Sequence, residues 1–205
     1  MIKIITTSDG SHSLLNTELD ETYHSVHGAL QESLHVFIKN GLDVFPGNEV
    51  RVFEVGFGTG LNALLAAQST RKVNYTTIEA FPLPEEVYSE LNYEPKDLLI
   101  QLHGNSKLET GNFKFSKLHT TLQSIELLSN QFDIIFFDAF APSKQPEMWE
   151  FPMIKKVCDS LTQGGLFVTY CAKGQLKRDL KSLGMEVETL PGPPGKKEMV
   201  RGTKK

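Results

Sequence analysis

Val52-Phe53-Glu54-Val55-Gly56-Phe57-Gly58-Thr59-Gly60 decides how this chain folds. An apolar strand runs into three glycines at alternate positions, and a helix-forming stretch follows from Leu61. Glycine has no Cβ, so alternate glycines let the backbone turn sharply and come close to a ligand. A strand, a glycine turn and a helix in that order build a nucleotide-type crevice beyond the carboxyl end of a parallel strand. The spacing is G-x-G-x-G, not the G-x-G-x-x-G that cradles a dinucleotide pyrophosphate, which argues against an NAD oxidoreductase. An acidic residue, Glu54, stands two positions before the first glycine.

Working outward, Val73-Asn74-Tyr75-Thr76-Thr77-Ile78-Glu79 reads as the next strand, ending in a carboxylate 23 residues beyond Gly56. A carboxylate there can accept hydrogen bonds from both ribose hydroxyls of a nucleoside ligand; the plainer alternative is a solvated strand end. The alternation continues. The pattern predicts a strand at 50–55, helices at 60–68, 84–91 and 95–103, and a strand at 113–118. A helix at 121–128, a strand at 132–137, a helix at 151–162, a strand at 166–170 and a helix at 174–183 follow. Residues 185–189 and 198–201 read as an antiparallel hairpin around a Pro/Gly/Lys turn. The expected fold class is α/β, Rossmann-like, with a mostly parallel seven-stranded sheet, an antiparallel C-terminal hairpin and a short N-terminal extension. The extension, residues 1–45, carries a β stretch at Lys3-Ile4-Ile5 and a helix over 28–39. Ala29, Leu30, Leu34, Phe37 and Ile38 form its apolar stripe, and Gly41 stops it. It is expected to pack over the cofactor site, with residues 46–205 forming the Rossmann-like domain.

The chain of 205 residues is 40% hydrophobic and 22% charged, which suits one globular enzyme domain. No apolar run is long enough for a membrane span and no signal-peptide plan is present, so a cytoplasmic protein is expected. Cys158 and Cys171 make no metal-ligand pattern and read as reduced core thiols; no metal site is expected. The sequon Asn74-Tyr75-Thr76 lies inside a strand and reads as chance. The net charge is −4, yet from residue 173 onward nine bases outnumber four acids, which suits either a solvated face or contacts to nucleic-acid phosphates.

Phe136-Phe137-Asp138-Ala139-Phe140-Ala141-Pro142 ends the 132–137 strand, where substrates bind in this architecture. An alkylamine has a pKa of about 10.4 and arrives protonated. Asp138 can hydrogen-bond it and take its proton, and Phe140 can stack on a planar base or cover the amine. Asp138 as a loop cap and Phe140 as core filling are the plainer alternatives.

The glycine stretch resembles motif I of the S-adenosylmethionine (AdoMet) methyltransferases. Glu54 through Asn62, Asp138 through Pro142 and Pro146-Glu147-Met148-Trp149 together resemble the MnmC-type tRNA methyltransferase family. Asp9-Gly10-Ser11, Tyr23-His24-Ser25 to Gly28, and Gly192 through Met199 extend the similarity along the chain. The resemblance implies AdoMet-dependent methylation of the aminomethyl group on the wobble (2-thio)uridine of certain tRNAs. By position, Glu54, Gly56, Gly58, Gly60 and Asn62 would form the AdoMet loop and Glu79 would hold the ribose. Asp138 would serve both methyl donor and amine, while Phe140 and Pro142 would shape the amine pocket. Tyr23, Gln31 and His24 would close over the cofactor, with His24, His27 and His35 equally readable as structural. Lys173, Lys196 and Lys197 would meet tRNA phosphates. The chain stops short of the FAD oxidase domain of bifunctional members, which implies a stand-alone methyltransferase whose aminomethyl precursor comes from separate enzymes. Leu118-His119-Thr120-Thr121 stands where many members place an acid, leaving adenine to backbone groups, His119 or Thr120. An aminopropyltransferase, another small-amine methyltransferase and an AdoMet-binding accessory protein are the alternatives.

Overall fold

The computed structural model describes all 205 residues. At the N-terminus, β1 (Ile2–Thr6), β2 (His12–Asn16) and β3 (Glu21–Thr22) form a small antiparallel sheet. Helix α1 (Ala29–Ser33) continues as a π-helical stretch, Leu34–Leu42. The main body follows as β4 (Glu49–Val55), α2 (Leu61–Ala66), β5 (Lys72–Glu79), α3 (Glu85–Tyr88) and α4 (Lys96–Gly104). Then come β6 (Lys107–Thr110), β7 (Phe113–His119), β8 (Phe132–Phe137), a 3₁₀ turn at Pro146–Trp149 and α5 (Phe151–Asp159). The chain closes with β9 (Leu161–Thr169), α6 (Gly174–Ser182), β10 (Met185–Pro191) and β11 (Glu198–Lys204).

The main sheet has the order β10-β11-β9-β8-β4-β5-β7-β6. Strands β7, β5, β4, β8 and β9 run parallel, and β11 lies antiparallel between β9 and β10. All six residues of β8 are buried, because helices cover both faces of a central strand. Ile134 and Phe136 join one core with Val52 and Phe37, while Ile135 and Phe137 join the other with Phe53 and Val55. Each such side chain contributes roughly 1.5–3 kcal/mol by leaving water. Successive strands leave β4 in one direction through β5 and in the other through β8, so the crevice opens between the carboxyl ends of β4 and β8.

The fold is the one the pattern implies, with local departures. An eighth strand, β6, is added at the sheet edge beyond β7. Residues 121–128 are not helical. The Lys156 ammonium takes the carbonyls of Leu122, Gln123 and Ile125, acceptors that a helix would need for its own amides. Helix α5 ends at Asp159, because the Ser160 carbonyl accepts from the amides of Gln131 and Phe132 and turns the chain into β9. Gly41 does not stop the first helix. A Cβ there would lie 3.0 Å from the Phe136 ring, so the bare glycine lets the widened helix lie flat on the sheet. The buried face runs through Ala29, Glu32, Ser33, Val36 and Phe37 at ordinary helical spacing and on to Gly41 and Leu42 in the widened stretch, while Leu30 is exposed. Both cysteines are buried and unpaired. No helix is long and apolar enough to cross a membrane, and no three His, Cys, Asp or Glu side chains are placed so that they could hold a metal ion together.

Candidate active site

A cavity of about 1070 Å³ lies over the β4–β8 crevice, roofed by the N-terminal sheet and the loop that follows it. Its floor is the glycine turn. Gly56 has φ +90°, and a Cβ there would stand 2.7 Å from the Asp138 carbonyl oxygen. Only a bare backbone fits between the two strand ends. Gly58, at φ +52°, lies under the Tyr23 ring, which a Cβ would approach to 3.2 Å. Gly60 serves the other side of the loop: a Cβ there would meet Phe57 at 2.9 Å and His103 at 3.1 Å, away from the cavity.

Glu79 stands at the cavity edge with both oxygens aimed. Oε2 accepts the Gly58 amide at 2.8 Å and Oε1 accepts the Phe81 amide at 2.8 Å. Each oxygen keeps a further lone pair, a geometry suited to a vicinal diol. Tyr23 packs edge-on to Phe140, ring centroids 5.0 Å apart, and burial followed by the Glu79 charge pushes its hydroxyl up to about 12.

Asp138 faces the cavity at the end of β8 and is enclosed by protein on its other sides. The Asn62 amide donates to Asp138 Oδ2 at 2.8 Å and to Glu54 Oε1 at 3.1 Å, so one side chain ties both carboxyls together. Burial pushes Asp138 up to about 7, the Glu32 carboxylate adds to the push, and the Asn62 hydrogen bond and Lys196 oppose it. Glu54 is fully buried below the cavity instead of lining it. Burial pushes it up to about 8, reinforced by Asp138 and opposed by Thr77, Asn62 and Tyr75. It therefore reaches a bound ligand only through Asn62 and Asp138.

The loop after Asp138 is held from behind. Trp149 donates to the Phe140 carbonyl at 2.8 Å and packs edge-on to Phe137, while the Tyr170 hydroxyl donates to the Ala139 carbonyl at 2.8 Å. Phe140 lines the cavity, but Pro142 does not; it faces a shallower outer groove with Lys173 and Lys197. Gln31 is also displaced from its expected place. Its side chain is exposed and absent from the cavity wall, and its amide donates to Asp9 Oδ2 at 3.0 Å. His24 is buried against Thr59 Oγ1 at 2.7 Å, and burial pushes it down to about 4, so it is neutral near pH 7. His27 packs on Gly195, and His35 Nε2 lies 2.8 Å from the Pro191 carbonyl. His119 sits 3.1 Å from the Ala80 carbonyl outside the cavity, whereas Thr120, Thr121, Leu122 and Gln123 line it.

Six carboxylates line the cavity (Glu18, Glu21, Glu32, Glu79, Asp138 and Glu147) against one lysine, Lys196. The sequence reading missed Glu32 and Tyr170. A carboxylate on the buried face beside Ala29 and Ser33 was the available signal for Glu32. Lys196 was expected outside on phosphate, but its ammonium lies inside, 2.5 Å from Glu32 Oε1 and 3.7 Å from the Tyr170 ring centroid. Lys173 and Lys197 remain exposed in the outer groove.

Residues 86–205 match the sequence family described as S-adenosyl-L-methionine-dependent methyltransferase. The chain is 29% identical, over 91% of its length, to the tRNA 5-methylaminomethyl-2-thiouridine biosynthesis bifunctional protein MnmC of Marinomonas sp. strain MWYL1, of which it covers 32%. Against the protein of the same name from Leptospira interrogans the identity is 30%, covering 92% of this chain and 33% of that one. The chain thus spans about a third of the length of the curated relatives it matches. The crystal structure of MNMC2 from Aquifex aeolicus shares the fold, with a TM-score of 0.81 at 23% identity over 100% of this chain and 70% of that one.

Proposed function

We propose that this chain, which belongs to the S-adenosyl-L-methionine-dependent methyltransferase family, methylates the aminomethyl nitrogen of the wobble (2-thio)uridine in tRNA, giving 5-methylaminomethyl-(2-thio)uridine. The observation that carries the reading is Asp138, set at the end of β8 in a cavity where carboxylates outnumber lysine six to one. Such a cavity favours cations, and the reaction brings together two of them, a sulfonium and an alkylammonium. The names of the MnmC relatives supply the tRNA and the aminomethyl-derived product.

The residues present fit AdoMet. The bare glycine turn leaves room at the strand ends, Glu79 presents two oriented oxygens for the ribose diol, and the cavity is large enough for cofactor and nucleoside together. When bound, AdoMet supplies an electrophilic methyl group on a positively charged sulfur. Asp138 binds the incoming ammonium, orients its nitrogen and accepts one proton, freeing the lone pair that forms the new N–C bond as the S–C bond breaks. A carboxyl pushed up to about 7 is matched to that task near neutral pH, being both partly ionised and basic enough to hold a proton. Asn62 fixes its orientation. Tyr23 and Phe140 close over the reacting groups and exclude water. Residues 1–45 act as the extension that covers the cofactor, and residues 46–205 as the catalytic domain. Lys173 and Lys197 receive tRNA phosphates in the outer groove, away from the cavity carboxylates. The aminomethyl precursor comes from a reaction other than this methyl transfer, and the reaction belongs in the cytoplasm with its tRNA.

The test is incubation with AdoMet radiolabelled in the methyl group, with tRNA bearing 5-aminomethyluridine and an unmodified tRNA as control. Label is expected only in the aminomethyl tRNA, recovered as methylaminomethyluridine. Absence of label in it, with AdoMet binding verified by calorimetry, overturns the reading.

A further inference from the structure

The cavity already holds an ammonium group, and that group belongs to the protein. Lys196 Nζ lies 2.5 Å from Glu32 Oε1 and 3.7 Å from the centroid of the Tyr170 ring. A carboxylate together with an aromatic face is the combination that recognises an alkylammonium. Both walls are fixed by backbone groups. The second oxygen of Glu32 accepts the Ser25 amide at 2.7 Å, and the Tyr170 hydroxyl donates to the Ala139 carbonyl at 2.8 Å. That second bond ties Tyr170 to the residue after Asp138, and Tyr170 and Asp138 line the same cavity. The Glu32 side chain is only 6% exposed, so its charge is not screened by bulk water and requires a cation.

We propose that Glu32 and the face of Tyr170 form the seat for the substrate's ammonium, and that Lys196 is an internal stand-in displaced when the aminomethyl group enters. The proposal deepens the reading above and rests on its amine substrate. The exchange is balanced in charge: one ammonium leaves Glu32 as another arrives. A neutral group of the same size offers no such replacement and leaves Lys196 in place, so the seat selects for a cation. Lys196 has somewhere to go. It borders both the cavity and the outer groove, where Lys173 and Lys197 are exposed. Released from Glu32, its ammonium joins them on the RNA phosphate side. From the seat, the substrate ammonium passes one proton to the Asp138 carboxylate and is left as the neutral amine that attacks the methyl group.

Calorimetry of the full chain loaded with S-adenosylhomocysteine, titrated with 5-aminomethyluridine or 5-hydroxymethyluridine, tests this without depending on turnover. Lys196→Met is expected to tighten 5-aminomethyluridine binding at least fivefold, because the competitor is gone. Glu32→Gln, which keeps the shape of the side chain, is expected to weaken it at least tenfold. Neither substitution is expected to change the hydroxymethyl titration. Unchanged or weaker amine binding by Lys196→Met overturns the stand-in; should that variant not fold, unchanged amine binding by Glu32→Gln overturns the seat. No amine binding by any of these proteins also overturns it. If the variants respond as expected but wild type transfers no methyl, the seat stands and the assigned reaction falls.

Discussion

Asp138 meets two requirements that pull against each other. The proton transfer proposed for it needs burial enough to hold a proton near neutral pH and a carboxyl still aimed at the cavity. Burial and Glu32 supply the first, while the Asn62 hydrogen bond supplies the aim. Asp138→Asn keeps the size of the side chain and an acceptor for Asn62 but removes the proton acceptor. Single-turnover methyl transfer at saturating AdoMet is expected to fall about 10²–10⁴-fold, a loss that any change in AdoMet affinity read by calorimetry does not account for. Normal turnover by this variant sinks the proton-transfer role. At this scale, the carboxylates at strand ends, Asp138 and Glu79, were legible, because a strand run followed by an acid fixes where the acid points. Glu32 and Lys196 were not. Glu32 shares the buried face of α1 with Ala29 and Ser33, but an acid there reads as a solvated one, and the facing of Lys196 depends on a turn whose partner lies 164 residues away.

The glycine turn does its work as an element, because it must pass between two strand ends. Gly56→Ala places a Cβ against the Asp138 carbonyl and forces a positive φ on an L side chain. The expected destabilisation is about 1–3 kcal/mol, read as a thermal midpoint several degrees lower, together with weakened AdoMet binding. Gly164→Ala is the matched control: its φ is +76° but nothing lies within 4 Å, so it is expected to leave AdoMet binding unchanged. Equal AdoMet affinity in both variants would show that the Gly56 contact is not what keeps the crevice open. Elements packed on both faces, such as β4 and β8, announced themselves as apolar runs ending in glycine or acid. Elements governed by distant partners did not. Residues 121–128 have a helix-like pattern, yet Lys156 of α5 claims their carbonyls. Strand β6, Lys-Leu-Glu-Thr at an open edge, carries no buried run to mark it.

For the whole molecule, the buried titrating groups set how stability varies with pH. Glu54 and Asp138 are pushed up to about 8 and 7, so between their unfolded values and these the folded state holds more protons, and stability falls as pH rises. His24 and His103, both pushed down mainly by burial to about 4, act with the opposite sign, but only up to about pH 6.5 where they titrate when unfolded. Lys117, lowered mainly by burial to about 8, adds stability only above that pH. The window from about pH 6.5 to 8 thus belongs to the two carboxyls. The ligand-free protein is expected to lose thermal stability across it, and Glu54→Gln to flatten the decline; calorimetric scans at steps of half a pH unit decide, and a rising midpoint refutes the assignment. The roof of the cavity carries a different consequence. Glu32 meets Lys196, His27 meets Gly195 and the His35 ring meets the Pro191 carbonyl, so residues 27–35 close on residues 191–197. Residues 27–35 alone leave this side of the cavity without a wall, and residues 191–197 must fold back onto them to complete it. This wall therefore depends on contacts that span 156 and 164 residues of sequence, the kind that form slowly and late in folding.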